Sequence, residues 1–206
     1  MDRDVTQMTY QFLVDTYETE RLKTLSVWTM FRDEDLGVRP HPDDSRGRSA
    51  HEQMVHQCVS EDLWFRTILG IDVAAPPLPK QETRRGFIDR YAIDSGARLE
   101  ALGQQGDRWW QEIVDFFETT RARTWVMVRR IAHTSHHRGQ QMAMLRMLGR
   151  DLHSNYGPTA DTGGLMQNHA PVIYAYPDVA TLLDRSAGKT QLPGPGDQSP
   201  TERPER

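Results

Sequence analysis

Four stretches of helical periodicity, each closed by glycine or proline, constrain this chain more than any other feature. Apolar residues recur at intervals of three and four, and β-branched alternation is scarce, so helices must carry the core. The spacing predicts a first helix over residues 6–31, with Phe12, Leu13, Leu22, Leu25, Trp28 and Met30 on its apolar face. Gly37 and the Pro40-His41-Pro42 segment end it. A second helix is expected over residues 48–69, capped by Gly70. A third covers 82–102, stopped by Gly103 and Gly106, and a fourth covers 119–148, ending at Gly149. Between the last two, Trp109, Trp110, Phe116 and Phe117 lie in a segment (107–118) that reads as a short helix or an extended crossover. Four long helices of compatible length predict an all-α chain built as a four-helix bundle.

The 206 residues suit one domain with a sizeable core, assigned to 1–150. Beyond it the helical pattern stops. Turn signals at Asn155-Tyr156-Gly157-Pro158 and Asp161-Thr162-Gly163-Gly164 predict an irregular C-terminal arm over 151–185, packed on the bundle through Val172, Ile173 and Tyr174. Residues 178–184 read as one or two helical turns, and glycine, proline and charge predict a disordered tail over 186–206. Gly188-Lys189-Thr190 imitates the end of a phosphate-binding loop, but Leu183 stands where its first glycine belongs.

Composition removes several function classes. A formal charge of −4, from 25 basic and 29 acidic residues, gives no concentrated basic face for nucleic acid or a membrane surface. No apolar run approaches the roughly 20 residues that span a bilayer. The charged start Met1-Asp2-Arg3-Asp4 and a single cysteine, Cys58, predict a cytoplasmic protein. Cys58, among Met54, Val55 and Val59, reads as a small buried apolar residue.

The chemistry is concentrated in Ala132-His133-Thr134-Ser135-His136-His137-Arg138-Gly139-Gln140-Gln141, which holds three of the eight histidines. Neutral imidazole is the commonest protein ligand for zinc, nickel and copper. His133 pairs on one helix side with either His136 or His137, three or four residues on, and spacing alone leaves both open. His136 and His137 point about 100° apart and make a poor pair. One seam of the helix reads Val126, Arg130, His133, His137, Gln140, Met144, Met147. If it faces the interior, each unpaired polar group costs roughly 1–3 kcal/mol, so a metal, water or ligand must satisfy them. The alternative is a solvent-facing stripe, since Arg129, Arg130 and Arg138 make this helix basic.

A third ligand should come from the second helix. His51 and His56 are five apart, about 140° around the helix, so only one faces inward. His56 is chosen because it continues a stripe with Glu52, Val59 and Leu63 and sits beside Met54, Val55 and Cys58. The string from His51 to His56 has one residue too many for the zinc-protease pattern His-Glu-x-x-His. Glu52, one turn earlier, is a candidate proton acceptor, and Arg138 and Gln140 are candidates for orienting the site or joining helices.

A histidine in the second helix followed by Glu61-Asp62-Leu63-Trp64, then His-x-x-x-His-Arg-x-Gln at His133, His137, Arg138 and Gln140, resembles the DinB/YfiT-like superfamily. The resemblance covers roughly residues 5–150. It implies an up-down-down-up bundle with a long crossover and a divalent metal held by three histidines, here His56, His133 and His137. Zinc is the first choice, with nickel, iron, copper or manganese as alternatives. Relatives include transferases and isomerases that use a low-molecular-weight thiol, and many are homodimers. His153 and His169 lie beyond the shared core and read as surface residues.

Three neutral imidazoles leave a divalent charge uncompensated, which makes thiolate or hydroxide available near neutral pH. The expected function is therefore a metal-dependent enzyme of thiol-transferase type acting on a small-molecule substrate in stress response or detoxification. The alternatives are a metal-dependent hydrolase and a non-catalytic metal-containing ligand-binding module. No serine elbow or dinucleotide fingerprint competes, and neither nucleic acid nor membrane is an expected partner.

Overall fold

A computed structural model of the chain describes residues 9–194 together with Ser199 and Thr201. The fold is mostly helical. Its long helices are α1 (Gln11–Met30), α2 (Ala50–Trp64), α3 (Arg84–Gly103) and α5 (Arg123–Met147), with short α4 (Asp107–Gln111) and α6 (Val179–Leu183). Helix α1 packs on α3 and α5, and α2 packs on α5 and α3. No helix among the described residues is long and apolar enough to cross a membrane.

Local chemistry sets the ends. Ser49 caps α2: its hydroxyl accepts from the Glu52 amide at 3.2 Å, and the Glu52 carboxylate accepts from the Ser49 amide at 2.8 Å. One π-helical turn, Phe65–Leu69, extends α2, and Gly70 closes it at φ 72°, where a side chain is strained. Thr83 caps α3 through the Gly86 amide, and Asp178 caps α6 through the Thr181 amide.

The crossover differs from expectation. After α4, strands β1 (Ile113–Phe116) and β2 (Thr119–Ala122) form an antiparallel hairpin with Phe116 opposite Thr119. Val114 and Phe116 turn inward while Ile113 and Asp115 are exposed, the two-residue period of a strand. The hairpin takes four residues that periodicity assigned to the last helix, so α5 begins at Arg123. Phe12 is also corrected: it is 58 % exposed, and α1 buries Leu13, Val14, Tyr17, Leu25 and Trp28 instead.

Two apolar clusters form the interior. One gathers Trp28, Met54, Cys58, Phe87, Met144, Leu152 and Tyr176, and the other Leu13, Trp64, Phe65, Leu102, Trp110 and Val126. Fully buried Glu61 joins them, accepting hydroxyl protons from Tyr17 at 2.7 Å and Tyr91 at 2.8 Å. Arg98 pairs with Glu61 at 3.4 Å, and Arg130 stands 4.0 Å away, so the carboxylate keeps counter-charges inside the protein.

The residues after α5 fold back over the first cluster. His153 is buried rather than on the surface, its Nε2 2.7 Å from the Thr190 carbonyl, because the extended run 152–154 lies beneath this segment. His169 is exposed, as expected. Lys189 donates to the Thr29 carbonyl at 2.7 Å and the Thr190 amide to Ala175 at 3.0 Å, so the start of the segment read as a disordered tail is fastened to the fold. Residues 195–198, 200 and 202–206 of that tail lie outside the described residues.

Candidate metal centre

The site sits where α2 and α5 meet. Facing the α1 side of α5, Arg138 is buried and forms an ion pair with Glu20 and a 3.4 Å hydrogen bond to Thr24, both on α1. Arg138 therefore joins helices and does not enter the site. That anchor fixes the rotation of α5 and turns His133 and His137 toward α2.

His56, His133 and His137 converge, with one candidate donor atom on each lying within 4.8 Å of the others. Ring centroids are 4.6 Å apart for His56–His137 and His133–His137, and 5.3 Å for His56–His133. The Nε2 atoms of His133 and His137 are 3.2 Å apart. Tetrahedral coordination with bonds of about 2.0–2.1 Å places two nitrogens about 3.3–3.4 Å apart. The donor set thus fits a divalent cation. His133 Nδ1 is buried without a partner among the described residues, and Trp64 stacks on the ring at 5.9 Å and 20°.

The other sequence candidates separate from this cluster. His51 pairs with Glu82 at 2.7 Å. His136 is exposed and bonds Gln140 at 3.0 Å. Glu52 is committed to the α2 cap and to Arg39 at 2.7 Å, and that arginine holds its carboxyl down at about 2. It is a capping residue and not a proton acceptor for the site. The expected interior seam of α5 is buried at Val126, Arg130, His137 and Met144, but Gln140 and Met147 are exposed. On α2, Val59 and Leu63 are 40 % and 43 % exposed, so the His56 stripe borders solvent and the site opens outward.

Gln53 is the residue that sequence reasoning missed. It is 3 % exposed and its side-chain oxygen lies 2.8 Å from His137 Nδ1, while its amide donates to Gln140 Oε1 at 2.7 Å. Accepting the Nδ1 proton leaves the Nε2 lone pair of His137 free for a cation. The available signal was its position three residues before His56, on the same side of the helix.

Electrostatics keep the rings neutral. Partial burial, followed by the charge of Arg130, pushes His133 down to about 3. Burial, then the neighbouring His56, pushes His137 down to about 4, and burial with Arg48 and Arg130 lowers His56. Neutral imidazole is the ligating form. The three rings open into a cavity of about 450 Å³, which Arg48, Arg129 and His136 also line. Among the described residues, no carboxylate lines it.

Comparison with known proteins agrees with this architecture. The sequence model of the DinB family matches residues 5–163. A DinB-like protein from Bacillus cereus ATCC 10987 has a similar solved structure, with TM-score 0.61 and 20 % identity over 70 % of this chain and 95 % of that one. A DinB-like protein from Bacillus subtilis gives TM-score 0.55 and 15 % identity over 67 % of this chain and 92 % of that one. At such identities the likeness is one of fold. No curated protein matches the sequence.

Proposed function

The chain belongs to the DinB family, and from that premise we propose that it holds one divalent metal through His56, His133 and His137 and works as a metal-dependent enzyme of thiol-transferase type. The 3.2 Å separation of two imidazole nitrogens, with a third ring alongside, carries this reading. The contacts of α1 with α3 and α5, and of α2 with α5 and α3, support a four-helix bundle around the site, and its up-down-down-up order is part of the proposal. Zinc suits three imidazoles best; nickel, iron, copper and manganese are the alternatives. A cation held by three neutral ligands supplies Lewis acidity, lowering the pKa of a thiol or water in an open position.

The chain's own residues orient and enclose. Gln53 fixes the His137 ring, Trp64 covers one face of His133, and Arg130 beneath them is held by Ser60 at 3.1 Å and Thr134 at 2.9 Å. Among the described residues the cavity offers no carboxylate to take a proton from water, and Glu52 is occupied elsewhere. This favours a low-molecular-weight thiol, acidic enough to need only the charge, over hydrolysis with a general base. A cytoplasmic homodimer acting in stress response or detoxification completes the proposal.

The test begins with untagged protein and its metal content by mass spectrometry. One divalent ion per chain is expected in wild type, with loss in His137→Ala. Absence of stoichiometric metal after supplementation would overturn the reading. Loaded protein should then accelerate thiol addition to a panel of electrophiles. Ligand binding without turnover across that panel would select the non-catalytic module.

A further inference from the structure

Arginine is abundant in this protein, and most of it is neutralised. Arg138 pairs with Glu20, Arg98 with Glu61 and Asp62, and Arg39 with Glu52. A cavity of about 660 Å³ at another part of the molecule has most of its cations engaged, Arg84 with Asp33, Arg85 with Asp89, Arg150 with Asp35 and Lys189 with the Thr29 carbonyl, while exposed Arg185 has no partner among the described residues.

Arg48 and Arg129 differ. Both are exposed, both line the three-histidine cavity, and among the described residues neither has a carboxylate or hydrogen-bonding partner. They approach from separate elements, Arg48 from the residue preceding the α2 cap and Arg129 from α5. Their charges reach the rings: Arg48 acts on His56 and His137, and Arg129 on His133. A cleft lined by one sign of charge concentrates ligands of the opposite sign, and the guanidinium fork matches a carboxylate.

Arg48 also belongs to a second, adjoining cavity of about 310 Å³, whose walls include Pro40, Ala143, Met144 and Met147. Gln53 and Gln140 line this groove too, so the hydrogen-bonded pair that orients His137 is the partition between groove and metal centre. Cationic cavity and apolar groove therefore meet at one side chain. Methionines line adaptable binding surfaces, and apolar walls with a few placed polar groups are typical of small-molecule sites.

We propose that Arg48 and Arg129 select an amphipathic organic anion: a small molecule whose carboxylate lies between the two guanidinium groups and whose apolar chain runs along the Pro40–Met144–Met147 groove. This names the substrate class for the site proposed above and rests on that reading for its chemistry, while the binding itself is tested independently of it.

The experiment compares octanoate with octanol, ligands of one chain length that differ in charge, by titration calorimetry. It uses the full-length protein loaded with cobalt(II), or as purified if none is taken up, since cobalt uptake separately reports on the metal centre. Wild type should bind octanoate at least tenfold more tightly than octanol. In the Arg48→Gln/Arg129→Gln double variant, the preference should fall to within about twofold, with octanol affinity and cobalt content unchanged. A third variant, Met147→Asp, should weaken both ligands by an order of magnitude through the groove. Equal affinities in wild type, or a preference that survives in the double variant, overturn the inference. Cobalt-loaded protein without the preference defeats this proposal alone; the preference without cobalt uptake defeats only the metal reading.

Discussion

His137 cannot be considered apart from Gln53. A neutral imidazole has one donor and one acceptor nitrogen, and Gln53 takes the donor at 2.8 Å, so the ring presents its lone pair to the other two histidines. Removing that support frees the tautomer and the ring rotation together. Gln53→Leu should weaken metal affinity by about 10–100-fold, whereas Gln53→Glu, which keeps an acceptor, should hold it near wild type. Competition against a chromophoric chelator measures this, and circular dichroism checks that both variants stay folded; equal affinity in the leucine variant would remove Gln53 from the site. The contrast also explains what was legible at this scale. Clustered histidines announce themselves, because two neighbouring imidazoles on one helix side and a third on another helix are an unusual arrangement. Glutamine is common on helices, and only its burial at 3 % distinguishes Gln53. Glu52 misled for the same reason: one turn from His56 it faces Arg39 and the helix end, which spacing alone does not show. His153 likewise became buried through the residues that fold over it.

Helix α2 delivers His56 and Gln53, so its first turn matters to the site as well as to the fold. Ser49→Ala should cost about 1 kcal/mol, the usual worth of an N-cap side chain. Glu52→Gln keeps hydrogen-bonding capacity but loses the ion pair with Arg39. The Glu52 carboxyl is lowered from 4.5 to about 2, so its charged form stabilises the folded state above pH 4.5. That contribution is lost as pH falls toward 2. Because its side chain is 44 % exposed, the effect should stay below about 1 kcal/mol. Urea midpoints of wild type and Glu52→Gln should therefore differ at pH 7 and draw together progressively as pH falls from 4.5 toward 2; a constant gap would assign the effect to something other than charge. The long helices were readable because apolar periodicity and glycine ends agree along the whole stretch. The hairpin was not, because each strand has four residues and lies between tryptophans and a helix. Its turn also places Phe117 at φ 53°, a conformation aromatic side chains rarely adopt, so no glycine or asparagine marked it.

Across the whole molecule, the two apolar clusters share one buried carboxylate, and this should make them unfold as a unit. Tyr17 lies in the cluster around Trp110 and Tyr91 in the one around Trp28, and both hydroxyls end on Glu61. Replacing Glu61 with leucine would leave buried Arg130 without a carboxylate partner and Arg98 with Asp62 alone, at a cost of about 3 kcal/mol or more. Tyr17→Phe removes a single hydrogen bond to a charged group and should cost about 1.5–3 kcal/mol. Cys58 provides the reporter for coupling. It belongs to the Trp28 cluster and is 3 % exposed, and burial first, with the charge of Glu61, holds its thiol well above the ordinary range. A thiol reagent should therefore reach it only when that cluster opens. Pulsed labelling along a urea gradient should give the same midpoint as far-UV circular dichroism, which reports on all the helices at once. Labelling that begins at distinctly lower urea would show one cluster opening alone and would mean that Glu61 ties the halves together less than its contacts imply.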